Sequence, residues 1–267
     1  MENLNPIILA LIGTGLAAIS TMIGASTVFF FKKDININFG KLSLGFAAGV
    51  MIAASIFALL LPAFEFAQEL AMNEWLPVSI GFTIGGLFLF WINTLLTKLR
   101  KKVQTNEEKS SVPPIRRAIM LSLAIALHNI PEGLAVGLIL GTATQSNYTY
   151  QIVAAALISL GMIFHNLPEG MAVSIPLRNE GFSKWKAFGF GAAAAIVEPI
   201  AGVLGVILVG RVEFMMPGLL SFAAGAMIYV VAQELIPETS KGKPSHFGTF
   251  GLMIGFLMMM ILEVILG

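Results

Sequence analysis

The sequence predicts an all-α integral membrane protein of eight transmembrane helices, and three observations carry that prediction. Of the 267 residues, 57% are hydrophobic and only 12% charged, with a mean hydropathy of +0.86. A soluble domain carries about 25% charged residues. The apolar residues fall in runs of about 20, the length a helix needs to cross the hydrocarbon core. Once those runs are taken as spans, the lysines and arginines sort almost entirely to one side.

Reading the runs against charged residues and Gly, Pro and Asn interruptions places the spans at 6–31, 40–63, 76–98, 115–141, 150–177, 184–210, 214–237 and 246–266. Span 1 follows "MENLNP", which has no basic lead-in, so it reads as an uncleaved helix and not as a signal peptide. Lys32, Lys33 and Lys41 flank its link to span 2, which carries "FAAGVMI" at 46–52 and ends near Pro62. Span 3 runs into the longest polar connector, "LRKKVQTNEEKSSVPP" at 99–114, a short cytoplasmic loop. Lys98, Arg100, Lys101, Lys102, Lys109, Arg116 and Arg117 flank that link. Arg178, Lys184 and Lys186 lie between spans 5 and 6. Span 7 carries "FAAGAMI" at 222–228 and ends near Pro237, and Lys241 and Lys243 lead into span 8. Fifteen of the sixteen basic residues therefore share one side, and only Arg211 falls on the other. The positive-inside rule makes that side cytoplasmic and puts both termini outside the cell membrane. A single polytopic domain, 1–267, accounts for the chain.

Spans 4 and 5 hold groups that hydrocarbon should exclude. "HNIPEGLAV" at 128–136 and "HNLPEGMAV" at 165–173 agree at seven of nine positions. The two spans cross in opposite senses, so the copies are inverted. The FAAG pair lies five spans apart, an odd number, and is inverted too. By itself that fainter pair is compatible with chance, since Gly and Ala are common wherever membrane helices pack closely. Together the pairs predict inverted repeats, spans 1–3 versus spans 6–8, with spans 4 and 5 central. Such repeats are a hallmark of secondary transporters, whose site lies near the midplane.

Residues i and i+4 share a helix face. His128 and Glu132 thus project together from span 4, and His165 and Glu169 from span 5. An ionisable group at mid-span costs several kcal/mol unless it is paired or faces a polar cavity. Two such pairs brought together make a ligand set for a divalent cation of borderline hardness. With no cysteine in the chain, any metal site must use nitrogen, oxygen or thioether ligands. Pro131 and Pro168 lack an N–H, which predicts interruptions that free the carbonyls of Leu127 and Phe164. Asn129 and Asn166 point about a quarter-turn from the His–Glu face, where their amide oxygens could serve a second ion. Glu198 in "AAIVEPIAG" is a third deep carboxylate, also followed by proline. Three carboxylates leave one negative charge with one bound dication and one positive charge with two. Ligands must be deprotonated to bind metal, so affinity is expected to fall on acidification.

These residues resemble the ZIP (Zrt/Irt-like protein) family of divalent metal transporters, nearest its bacterial GufA-like branch. The likeness rests on the doubled HN-x-PEG motif, the eight spans and the basic link between spans 3 and 4. The resemblance implies a first metal site of His128, Glu132, His165 and Glu169, with Met51 as a thioether neighbour. It implies an adjoining second site of Asn129, Glu132, Asn166, Glu169 and Glu198, in which the two motif glutamates bridge both ions. Some relatives have Gln and Asp where this chain has His165 and Asn166, so the second site carries less charge here. The resemblance also implies that spans 1, 4, 5 and 6 move against spans 2, 3, 7 and 8. In span 7, Gln233 stands where relatives carry a histidine, leaving Glu234 as the exit-side carboxylate.

The expected function is transport of divalent metal cations by alternating access, with Zn2+ as the transported substrate and Fe2+, Mn2+, Co2+ and Cd2+ as further ones. No organic cofactor and no nucleic-acid partner are expected, and no GxxxxGK[ST] phosphate loop exists to couple ATP. A selective channel or a proton-coupled pathway is the alternative. A membrane-embedded metallohydrolase is a further one, though it requires an open metal position and a spare general base. Small-xxx-small pairs at Gly45–Gly49, Gly81–Gly85, Ser221–Gly225 and Gly251–Gly255 fit static packing, surfaces that slide, or contacts of a homodimer.

Overall fold

In a computed structural model the chain is described over residues 5–30, 37–103, 114–142, 148–240 and 245–266. Among the described residues there is no strand. The basic flanks at 32, 33, 109, 241 and 243 lie outside the described residues, as does most of the 99–114 link.

The helices are α1 (Pro6–Ser26), α2 (Ile37–Ala54), α3 (Leu61–Glu69), α4 (Trp75–Val103), α5 (Pro114–Thr142), α6 (Tyr148–Asn179), α7 (Lys184–Ala195), α8 (Val197–Ile207), α9 (Met216–Val230), α10 (Ile236–Thr239) and α11 (Phe247–Leu266). A π-helical segment, Ser55–Leu60, joins α2 to α3, and another, Val231–Leu235, joins α9 to α10. Seven stretches are long and apolar enough to cross a membrane: Pro6–Phe29, Asn38–Glu69, Trp75–Leu95, Ala118–Leu138, Lys184–Ile207, Met216–Thr239 and Phe247–Ile265. The remaining expected span is the continuous 32-residue α6. Residues 99–103, expected in the loop, instead extend α4.

The outermost helices turn large side chains outward. On α1, Ile8, Ile12, Ile19 and Ile23 are exposed, while Ala10, Gly13, Ala17, Thr21 and Gly24 are buried. This reverses the order of a soluble protein and suits a hydrocarbon solvent, where close packing of small residues holds helices together. Asn5 starts α1 by accepting the Ile7 N–H at 2.9 Å, with Pro6 in the first turn.

Four close helix pairs dominate: α2 with α11, α4 with α9, α1 with α6, and α5 with α8. Glycine permits each approach. A Cβ on Gly45 or Gly49 would overlap carbonyls of α11, and one on Gly251 or Gly255 would overlap carbonyls of α2. Gly85 and Gly225 do the same for α4 and α9. The small-residue pairs read from the sequence are therefore engaged in packing within the chain, and within these tight pairs.

The packing divides the molecule into two bodies. The first holds α1, α5, α6, α7 and α8; the second holds α2, α3, α4, α9, α10 and α11. They meet chiefly where α2 faces α6 and α5 faces α9. Exchanging span 1 with 6, 2 with 7, 3 with 8 and 4 with 5 maps the four close pairs onto one another. Both FAAG helices also turn π-helical at the same offset, since Ser55 and Val231 each lie nine residues after the motif's phenylalanine. The fainter repeat is thus structural.

Two expectations about breaks are corrected. α5 runs through Pro131 and α6 through Pro168 without interruption. Each proline removes one hydrogen bond, yet glycines two residues on seat both helices against neighbours: Gly133 against Glu198 and Ala201 of α8, Gly170 against Thr21 of α1. In span 6 a single residue, Ile196, separates α7 from α8, and its own φ of −64° and ψ of −24° stay helical. Pro199 explains the separation, because it supplies no N–H to the Ala195 carbonyl.

Candidate metal site

The sequence-selected side chains converge where α5, α6 and the α7–α8 break meet. His128 is wholly buried on α5, with its Nε2 3.2 Å from Glu132 Oε1 and 2.8 Å from Glu169 Oε1 of α6. Glu169 is wholly buried and Glu132 nearly so. Helical spacing alone sets the first contact. The second depends on α5 and α6 lying side by side.

Around these three lie the polar groups of the second set. Asn166 on α6 donates through Nδ2 to Glu198 Oε2 at 2.8 Å, and both are wholly buried. Glu198 sits in the first turn of α8. Asn129 donates through Nδ2 to the Ala194 carbonyl at 3.3 Å, in the last turn of α7. That bond ties α5 to the end of α7. Sequence reading gave Asn129 no such partner.

The donor chemistry suits a cation. Glu169 Oε2, Asn129 Oδ1 and Asn166 Oδ1 are buried and accept no hydrogen bond among the described residues. Buried acceptors left so cost about 1–3 kcal/mol each and call for a donor, water or ion. Ligands of a four-coordinate zinc at about 2.0–2.1 Å stand roughly 3.3 Å apart. The His128–Glu132 and His128–Glu169 separations, 3.2 and 2.8 Å, need widening by only a few tenths of an ångström to admit an ion. No group of three or more His, Cys, Asp or Glu among the described residues stands preassembled as a closed metal site.

His165 lies on α6, and its side chain is outside the described ones. Met51 is wholly buried in the apolar cluster shared by α2, α5 and α6, and it belongs to the opposite body from the other candidates. Its carbonyl accepts the Ser55 hydroxyl at 2.7 Å, just as α2 gives way to the π segment. Glu234 is buried inside the second π segment. His246 is exposed at the start of α11.

Fold and site together define a class: a polytopic helical membrane protein whose inverted halves enclose buried imidazole and carboxylate groups. Comparison with known proteins gives the family. The profile of the ZIP Zinc transporter family matches residues 113–263, and this chain belongs to that family. The zinc transporter ZIP11 of Bos taurus is 37% identical along an alignment covering 98% of each chain. The zinc transporter ZupT of Streptococcus mutans is 35% identical over 94% of this chain and 95% of its own. The zinc transporter GufA of Myxococcus xanthus is 31% identical over 96% and 98%. These relatives are transporters, and the metallohydrolase alternative is set aside.

Proposed function

We propose that this protein carries Zn2+ into the cytoplasm across the cell membrane, with Fe2+, Mn2+, Co2+ and Cd2+ as further substrates. The observation that carries the reading is the buried His128 nitrogen lying between carboxylates of two different helices. Burying those charges together costs less when a dication neutralises them. In this reading Zn2+ is held by His128, Glu132, Glu169 and His165, and Met51 closes the site from the opposite body. The names of the relatives support zinc as the substrate.

Direction follows from charge placement and physics. With fifteen of sixteen basic residues on the cytoplasmic side, both termini face outward. An inward potential contributes about 2.3 kcal/mol per charge per 100 mV, roughly 4.6 for a dication. Alternating access is supported by the two bodies. His128, Asn129, Glu132, Asn166, Glu169 and Glu198 all belong to the first, so the ion travels with that body past the second.

Reconstitution in proteoliposomes tests the reading. Zn2+ uptake that saturates at micromolar metal with slow turnover supports a carrier. Ohmic current would point to a channel, and an absence of flux would overturn transport altogether.

A further inference from the structure

We infer that Met227 of α9 is a second thioether ligand at the metal site, paired with Met51 of α2, so that the second body offers the ion two sulfurs. The inference rests on the Zn2+ reading above and adds to its ligand set a residue that favours soft cations such as Cd2+.

Three observations lead to Met227. The first is the repeat. Exchanging span 2 with span 7 lays "FAAGVM" at 46–51 on "FAAGAM" at 222–227, so Met227 is the counterpart of Met51. The second is the helix face. Gly49 seats α2 on α11 and Gly225 seats α9 on α4, both inside the second body. Each methionine follows its glycine by two residues, about 200° round the helix. Both therefore turn away from their own body towards the first, and both are wholly buried. They share one cluster with Ile125 of α5 and Ala172 of α6, which stand three residues from His128 and Glu169.

The third is depth. Ala47 of α2 borders a cavity with Met171 and Ile175 of α6. The two helices run in opposite senses, so Met51, one turn beyond Ala47, comes level with residues 167–171, around Glu169. The offset between the HN-x-PEG copies turns Met171 into Leu134 and Ile175 into Leu138, and the FAAG pair turns Ala47 into Ala223. Leu134, Leu138 and Ala223 do pack in one cluster. Met227, one turn beyond Ala223, thus comes level with residues 130–134, around Glu132.

The chemistry suits a ligand that must let go. The first body supplies imidazole and carboxylate groups, which carry the charge of the site. A thioether is neutral and polarizable, and it packs as hydrocarbon once the ion has moved. Two of them on the opposite body strengthen a Cd2+ complex more than an Mn2+ one and leave the net charge unchanged. Methionines that only filled space would make no such distinction between cations.

The test is cadmium-edge X-ray absorption on the purified full-length protein, loaded with Cd2+ in lipid nanodiscs. Two sulfur neighbours are expected in the wild type, one in Met227→Leu or Met51→Leu, and none in the double variant. Met227→Leu should also weaken Cd2+ binding by at least about tenfold, the lower end for losing a group that acts on a metal only through its ligand, and leave Mn2+ affinity unchanged. A wild-type shell with one sulfur or none overturns the inference. So does a sulfur count that survives Met227→Leu, or an equal loss of Cd2+ and Mn2+ affinity. The wild-type count decides the matter even if a variant fails to fold. Wild-type protein that binds neither Cd2+ nor Zn2+ would instead sink the transport reading beneath it.

Discussion

At the scale of the residue, function concentrates in a few atoms. His128 Nε2 has a carboxylate oxygen on either side of it, one from its own helix and one from α6. Removing one of these oxygens takes away both a ligand and a charge. Removing a group that only hydrogen-bonds a metal ligand already costs about 10–100-fold in metal affinity. Glu132→Ala is therefore expected to lose at least that much, with Zn2+ uptake near background in a proteoliposome assay. Met51 contrasts with it. It is fully buried and packed among apolar side chains, so Met51→Leu, a swap of similar volume, should cost less than about 1.5 kcal/mol of stability in a denaturation assay. If Met51 is also a thioether ligand, the same variant will weaken Zn2+ affinity without that loss of stability. Proton competition gives a further expectation. Zn2+ affinity should fall as pH drops from about 8 to 5, the range in which imidazoles titrate. An affinity that stays flat across that range in equilibrium dialysis contradicts the ligand set.

At the scale of the element, glycine decides which helices travel together. Gly49 lies where a Cβ would overlap the Leu252 carbonyl, and Gly255 lies in the reciprocal position against Phe46. Gly49→Leu is expected to push α2 from α11. Overpacking of this kind costs about 1–3 kcal/mol, to be read as lost thermal stability in detergent. The same residues explain what was legible in advance. The doubled HN-x-PEG motif gave the site because i and i+4 fix His128 and Glu132 on one face whatever surrounds them. Spans were legible because hydropathy over about 20 residues does not depend on tertiary context. The fate of each proline was not. Pro131 and Pro168 leave their helices continuous, whereas Pro199 accompanies a break. All three prolines lack the same N–H, so the residue alone does not say which helix is interrupted. Both π segments escaped notice for a related reason, since a change from i→i−4 to i→i−5 bonding leaves composition untouched. Only their matching offset from FAAG, seen in three dimensions, makes the pair intelligible.

At the scale of the whole molecule, the two bodies meet along α2 and α6, where a cavity is lined by Ala47 and Leu42 on one helix and Met171 and Ile175 on the other. Ile254 of α11 borders the same space. The chain has no cysteine, so introduced thiols act without background. A short bifunctional reagent joining Ala47→Cys to Ile175→Cys bridges the bodies and should stop Zn2+ uptake until it is cleaved. The same reagent joining Leu42→Cys to Ile254→Cys stays within one body and should leave uptake near the wild-type rate. Equal uptake in both cross-linked proteins would contradict motion of one body against the other. The most direct test of the central claim is an anomalous difference map at the zinc edge from zinc-loaded crystals. The account predicts a peak about 2.0–2.2 Å from His128 Nε2 and from carboxylate oxygens of Glu132 and Glu169. Zinc bound elsewhere in the molecule, with no density among those three side chains, would contradict it.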